Sequence, residues 1–253
     1  KKIVDLHKHL LKTLVKKHSL INLLKIFILF FFIDSCSYPE ISRDELIYDN
    51  DFEANELNNI NGGGISLYDN NNVIGNFNND GFTLHLDNVG NHDYVFISFD
   101  LYIHGTWDGN FNRFVENDRP DKWIMELDPD MDLIKDTSID RFVTTFSNSP
   151  CFGNYCLRQS YPENYPYENN PKTGSFLNNL SELKSCKASV YGGDTTLYKI
   201  EKTFKHSGNA IVIRFYDELY QPNAINWDTG EVESKCDESW SLDNLKVRVI
   251  SYK

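Results

Sequence analysis

Two sets of residues in this chain of 253 amino acids carry enough chemistry to point at a function: clustered carboxylates, and aromatic rings set beside turns. The most informative segment is Asp237-Glu238-Ser239-Trp240-Ser241-Leu242-Asp243-Asn244-Leu245. A pair of carboxyl groups can serve as acid and base in glycoside hydrolysis. Neighbouring residues on one strand point to opposite faces, however, so Asp237 and Glu238 are poorly placed to flank a single bond. Asp100 falls on the polar side of an alternating strand, and no partner for it can be named from sequence. His85, His92, His104 and His206 are dispersed, and the chain has no HExxH, GxSxG or phosphate-loop motif. The pattern points to binding more than to catalysis.

Aromatic side chains present flat apolar faces with a polar handle, suited to stacking on sugar rings or anchoring a protein partner. Trp107-Asp108-Gly109-Asn110 follows the clearest strand directly, and Asp-Gly is a turn signal, which predicts Trp107 at a sheet rim. Trp227 and the tyrosines Tyr155, Tyr161, Tyr165 and Tyr167 lie in long loops. Trp107, Tyr161, Tyr165 and Trp227 are the predicted ligand contacts. Trp123 and Trp240, placed beside strands, are predicted core residues.

The elements that hold these residues begin after a distinct N-terminal stretch. Residues 1–17 are basic, residues 26–33 are an unbroken apolar run, and Ser35-Cys36-Ser37 follows. A positive region, a short apolar core and small residues describe a secretory signal. Eight apolar residues are too few to cross a bilayer, which takes ~20. Residues 1–35 hold seven Lys and two Asp, a charge of +5, so the formal charge of −12 for the whole chain becomes −17 for the remainder. Such an acidic domain does not bind nucleic acid, which needs clustered Lys and Arg, but is compatible with cations. Ile33-Asp34-Ser35-Cys36 resembles the acylation site of bacterial lipoproteins, with Asp34 departing from that pattern. Lipidation of Cys36 and plain secretion both remain open. The four other cysteines are an even number in an exported chain, which predicts two disulfides. Pairing Cys151 with Cys156 closes a short loop and leaves Cys186 with Cys236 as a long tie.

From residue 40 onward the apolar pattern is short and strand-like. In 93–104, Val95, Ile97, Phe99, Leu101 and Ile103 share one face, with Ser98 and Asp100 on the other. Further strands are predicted at 81–86, 122–127, 141–146, 197–204 and 210–216, with Leu245, Val247 and Val249 marking the last. Asn- and Asp-rich turns separate them. One short helix is predicted near 181–184, and two long loops at 147–187 and 217–239. Strands without intervening helices predict an antiparallel β-sandwich. The organisation expected is a signal segment at 1–35, a linker at 36–46 and one sandwich domain at 47–253.

Asp51-Phe52-Glu53 near the start and Leu242-Asp243-Asn244-Leu245 near the end resemble the bookends of extracellular jelly-roll modules. That group includes MAM domains, laminin-G-like domains and many carbohydrate-binding modules. The middle of the chain is similar to sandwich modules of secreted bacterial proteins at Trp107-Asp108-Gly109, Pro120-Asp121-Lys122-Trp123, Thr144-Thr145-Phe146-Ser147-Asn148 and Gln159-Ser160-Tyr161-Pro162. The resemblance implies a concanavalin A-like or galactose-binding-like jelly roll. It also implies a structural calcium ion held by Glu53 and Asp243, with Asp51 as a further ligand. The expected function is an extracellular or cell-surface module binding glycans or surface ligands, with a membrane reached only through a lipid on Cys36. A protein-interaction or structural module of a surface assembly is the first alternative, and a glycan-cleaving jelly-roll enzyme the second.

Overall fold

A computed structural model describes residues 39–110, 119–128, 140–149, 151, 153–184, 186, 194–221, 223–226 and 229–253. The predicted signal segment, Cys36 and Trp227 lie outside these residues. The chain divides into units 1–40 and 41–253, and the fold below is that of the second. Every regular element among the described residues is a β-strand. One sheet contains β1 (Ile41–Asn50), β3 (Ile65–Tyr68), β4 (Asn71–Phe77), β6 (Tyr94–Gly105), β9 (Leu177–Leu180), β10 (Thr195–Lys205) and β14 (Glu238–Tyr252). The other contains β2 (Ile60–Asn61), β5 (Gly81–Asp87), β7 (Lys122–Leu127), β8 (Asp140–Thr145) and β11 (Ala210–Glu218), while β12 (Asn223–Ile225) and β13 (Val232–Ser234) form a separate hairpin. The first sheet runs β3-β4-β14-β6-β10-β9 with β1 also on β14, and the second runs β2-β5-β11-β7-β8. All pairings are antiparallel. The protein is an all-β antiparallel sandwich.

Alternation drives the two sheets together, because period-two apolar residues give each sheet one face to bury. Val95, Ile97, Phe99, Leu101 and Ile103 of β6 are all buried, and so are Leu84, Ile211, Ile213, Phe215 and Met125 of the opposing sheet. Phe99 reaches across to Trp123 at 5.6 Å and to Phe215 at 5.5 Å between ring centroids. Trp240 packs on Phe77 at 4.5 Å and edge-on to Trp123 at 5.8 Å.

Strand β14 crosses the whole first sheet and changes phase on the way. Trp240 and Leu242 face inward, and beyond a register shift between Asp243 and Lys246 so do Leu245, Val247 and Val249. Asn244 sits at that point with φ 53°, a left-handed conformation that Asn tolerates better than most residues. Without the shift, Asn244, Lys246 and Arg248 would face the core. Beside it, β3 and β4 meet through Asp69 (φ 47°) and Asn70 (φ 66°), the two positive angles of a two-residue hairpin turn.

Three sequence expectations differ from the structure. β1 begins at Ile41, inside the span expected as linker, because Ile41 to Asn50 pair with Tyr252 to Leu245. The helix expected near 181–184 is absent; only a single turn closes there, with Cys186 N donating to Leu183 O at 2.9 Å. The two long loops contain structure of their own, β9 in the first and β12-β13 in the second.

Disulfides join Cys151 to Cys156 and Cys186 to Cys236. The second spans 50 residues against 5 for the first, so it removes more disorder from the unfolded chain. Replacing Cys186 and Cys236 together by Ser is expected to cost about 4 kcal/mol, and replacing the short pair about 2 kcal/mol. Denaturant titration of the two double variants measures both, and equal losses would contradict this ranking.

Candidate functional site

The outer face of the five-stranded sheet gathers planar and charged side chains into rows. On β11, Ile211, Ile213 and Phe215 point inward, so Val212, Arg214 and Tyr216 point out. Register then places Tyr216 in one row with Gly81, Ile124 and Val143. Arg214 falls in the next row with Thr83, Glu126 and Arg141. Glu218, Lys122 and Thr145 make a third.

Glu126 organises this surface. Its side chain is only 4% exposed, and its Oε1 accepts from the Tyr216 hydroxyl at 2.9 Å and from Arg141 at 2.9 Å. Burial, reinforced by the hydrogen bond and charge of Glu126, pushes the Tyr216 phenol up to about 12. The hydroxyl therefore stays protonated at neutral pH and remains a donor, which holds the ring in one orientation. The Arg214 guanidinium lies 4.5 Å from the centroid of that ring. Lys122 pairs with Glu218 at 3.0 Å and lies 5.9 Å from the Tyr165 ring.

A groove of about 440 Å³ runs over Asn61, Asn79, Thr83, Arg214 and Tyr216. A second of the same size, lined by Lys122, Glu218 and Tyr220, also borders Asn79. Spaces of this size accept small-molecule ligands. With the Arg214 guanidinium over one face of the Tyr216 ring, the opposite face can stack on a pyranose while the charged groups around it hydrogen-bond its hydroxyls.

The residues expected to contact ligand divide between surface and core. Tyr165 is half-buried at the edge of this face, its N–H donating to Val143 O at 2.7 Å. Trp107 is not at a rim: it is fully buried and donates from Nε1 to Ser239 O at 3.0 Å, because the turn after β6 folds back over the sandwich end. Tyr161 is likewise core, packed against Phe146 at 5.2 Å and Tyr198 at 4.9 Å. Tyr216, Glu126 and Arg141 were not singled out from sequence. The alternation in 210–216 carries the signal for Arg214 and Tyr216, but only strand pairing brings Glu126 and Arg141 beside them.

Of the residues implicated in calcium binding, Asp51 and Glu53 are exposed and Asp243 is buried. Asp51 accepts from Glu53 N at 3.2 Å, Glu53 from Asn72 N at 2.9 Å, and Asp243 from Asn71 Nδ2 at 2.7 Å. Burial, together with the charges of Asp100 and Glu53, raises the Asp243 carboxyl. Asp100 has found partners that sequence did not reveal, Lys199 at 2.9 Å and Asn244 Nδ2 at 3.1 Å. His92 and His206 also meet, with ring nitrogens 2.6 Å apart, and His206 continues to Asp128 at 2.5 Å. His104 is enclosed between Thr195 and Ser241, and burial lowers its imidazole to about 3, so it is neutral.

A set of buried acids lies at the end of the sandwich. Asp108, Asp121 and Glu238 converge there, each beside a buried Trp in sequence: Trp107-Asp108, Asp121-Lys122-Trp123 and Glu238-Ser239-Trp240. Gly105, at φ 80°, allows the approach, since a Cβ there would lie 1.8 Å from Asp237 O. Burial pushes Asp108 up to about 6. Burial and the charge of Asp108 raise Asp121, and burial with the charges of Asp121 and Asp108 raises Glu238. Nearby, Asp217 accepts from Trp240 Nε1 at 2.8 Å and from Asp80 N at 2.9 Å, and burial pushes it up to about 7.

No family model matches the chain, and no curated protein matches it in sequence. Among solved structures it is similar to the crystal structure of CBM28, a carbohydrate-binding module specific for non-crystalline cellulose. That likeness covers 82% of this chain and 94% of the other, at 12% identity and a TM-score of 0.33. Similarity at this level says nothing about what the present chain binds.

The raised acids make stability depend on pH in a definite direction. Between the ordinary carboxyl value of 3.8 and about 7, folded Asp217 keeps a proton that the unfolded chain has released. Its contribution to stability is therefore lost as pH rises through that window. In chelator, the wild type is expected to melt at a higher temperature at pH 5 than at pH 8, and Asp217→Asn to show a smaller difference. Thermal melts across this range test it, and a variant profile parallel to the wild type would refute the assignment.

Proposed function

We propose that this chain is a non-catalytic extracellular module that binds glycans on the outer face of its five-stranded sheet. The single observation carrying this reading is Tyr216, an outward ring fixed through Glu126 and flanked by Arg214 and Arg141 along an open groove. A sugar presents a C–H face to the ring and hydroxyls to the charged groups around it. Because Tyr216 is already oriented before a ligand arrives, little side-chain freedom remains to be lost on binding. Tyr165 extends the same surface past β8. The disulfides suit an oxidising compartment, which is consistent with an extracellular setting. A structural calcium ion at Glu53 and Asp243 belongs to this reading as a brace for the start of β4.

A second reading, a protein-interaction module, is favoured by a different edge. Phe176 and Leu177, at the start of edge strand β9, are 58% and 46% exposed. Apolar residues on a sheet edge offer both contacts and unpaired backbone to another chain.

A glycan array followed by calorimetry on the best hit separates the readings. Tyr216→Ala is expected to weaken binding about tenfold or more, with Tyr165→Ala weaker in effect. Phe176→Ser is expected to leave sugar binding unchanged. Silence across a broad glycan panel, or full affinity in Tyr216→Ala, would overturn the glycan site.

A further inference from the structure

Asp108, Asp121 and Glu238 reach one point from three separate stretches: the turn after β6, the residue before β7, and the first residue of β14. One carboxylate oxygen from each lies within 4.8 Å of the other two. Asp108 is 6% exposed, and Asp121 and Glu238 are fully enclosed. Few donors serve them. Ser149 Oγ donates to Asp108 at 2.8 Å, Asp108 N and Tyr220 N to Asp121 at 2.9 and 3.3 Å, and Gln221 N to Glu238 Oε2 at 3.4 Å. Among the described residues the remaining oxygen of Glu238, Oε1, is buried and receives no N–H or hydroxyl donor, and the Asp121 and Glu238 carboxyls are close enough to hydrogen-bond when one carries a proton. Among the described residues no Lys, Arg or His forms an ion pair with any of the three.

We propose that Asp108, Asp121 and Glu238 form a buried site for a divalent cation of the calcium class, separate from Glu53 and Asp243. With no basic partner among the described residues, three enclosed carboxylates keep their charge only beside a counter-charge, since burying unpaired charge is costly. An unpartnered buried oxygen is what a cation would take as a ligand. The donor set is all oxygen, which suits a hard cation better than zinc, whose sites usually include nitrogen or sulfur beside any carboxylate. Calcium–oxygen distances are about 2.3–2.6 Å, so two ligands of one ion lie no more than about 4.6–5.2 Å apart, and the three oxygens here fall within that limit. Ser149 Oγ and the backbone N–H groups of Asp108 and Tyr220 hold the ligating carboxylates in place. The ion would lock the end of β6, the entry to β7 and the start of β14 together beneath Trp107.

The test uses the full chain, stripped with EDTA and titrated with calcium chloride at pH 7.5. At calcium about 100 times Kd, the melting temperature of the wild type is expected to rise by about 5–10 °C. A rise should persist in Glu53→Gln, and in Asp108→Asn and Glu238→Gln it should fall to what an ion at Glu53 and Asp243 alone supplies, with calcium affinity of the cluster down about tenfold or more. Terbium bound to the wild type needs no variant to fold. Its luminescence lifetimes in H2O and D2O count bound waters, few for this enclosed cluster and several for an ion at exposed Glu53. No calcium-dependent shift in the wild type, a shift kept in full in Asp108→Asn but lost in Glu53→Gln, or terbium bound only in a well-hydrated form would overturn the proposal. The three acids would then be a proton-sharing group and not a metal site.

Discussion

The sandwich depends on the phase change in β14. This strand pairs with β6 along one edge and with β4 and then β1 along the other, so its inward residues must stay inward across fifteen positions. A strand of period two meets that demand only while its apolar residues keep one parity. Here Trp240 and Leu242 have even parity, and Leu245, Val247 and Val249 odd. The left-handed turn at Asn244 absorbs the extra residue, and Asp243, Asn71 and Asp100 bond around it. The inward face that β14 keeps along its length follows from this local break.

The same strand connects core to site chemistry. Its inward Trp240 bonds Asp217 at the end of β11, a strand whose outward face carries Arg214 and Tyr216. Its first residue, Glu238, enters the acidic cluster, where Asp108 and Asp121 arrive from the other direction. A packed aromatic layer of Phe77, Trp123 and Trp240 stands among these elements, so none can move independently. The outer face of the second sheet is thus presented on a rigid support, which favours a ligand that binds a preformed surface.

Two groups of acids illustrate opposite uses of burial. Glu126 is nearly enclosed, yet Arg141 and the Tyr216 hydroxyl satisfy it, so its charge organises a surface. Asp108, Asp121 and Glu238 are as enclosed with no basic partner among the described residues, and burial with mutual repulsion favours bound protons or a bound cation. Burial penalises charge on each of these carboxylates, and their partners decide whether that penalty is offset.

Much of the fold was legible in the residues. Alternation along 93–104, 122–127 and 210–216 marks strands and their inward faces, because side-chain period and backbone geometry are local properties. The parity change between Leu242 and Leu245 is visible in the same way. Edge strand β1 was less legible, since most of its residues are exposed and pair with β14 only from 200 positions away in the chain, as Asp44 does with Arg248. The long loops hid β9, β12 and β13 because strands of three or four residues leave little pattern. The aromatic rings show the limit most plainly. Sequence marks Trp107 as following a strand and beside a turn, but whether the turn folds outward or back over the core depends on what it meets. Ser239 O receives its indole N–H inside the sandwich. The assembly of Tyr216 with Glu126 and Arg141, and of Asp108 with Asp121 and Glu238, rests on pairings between distant strands. Sequence determines which side chains each strand offers; only the tertiary structure decides which of them meet, because contact depends on register and crossing in space.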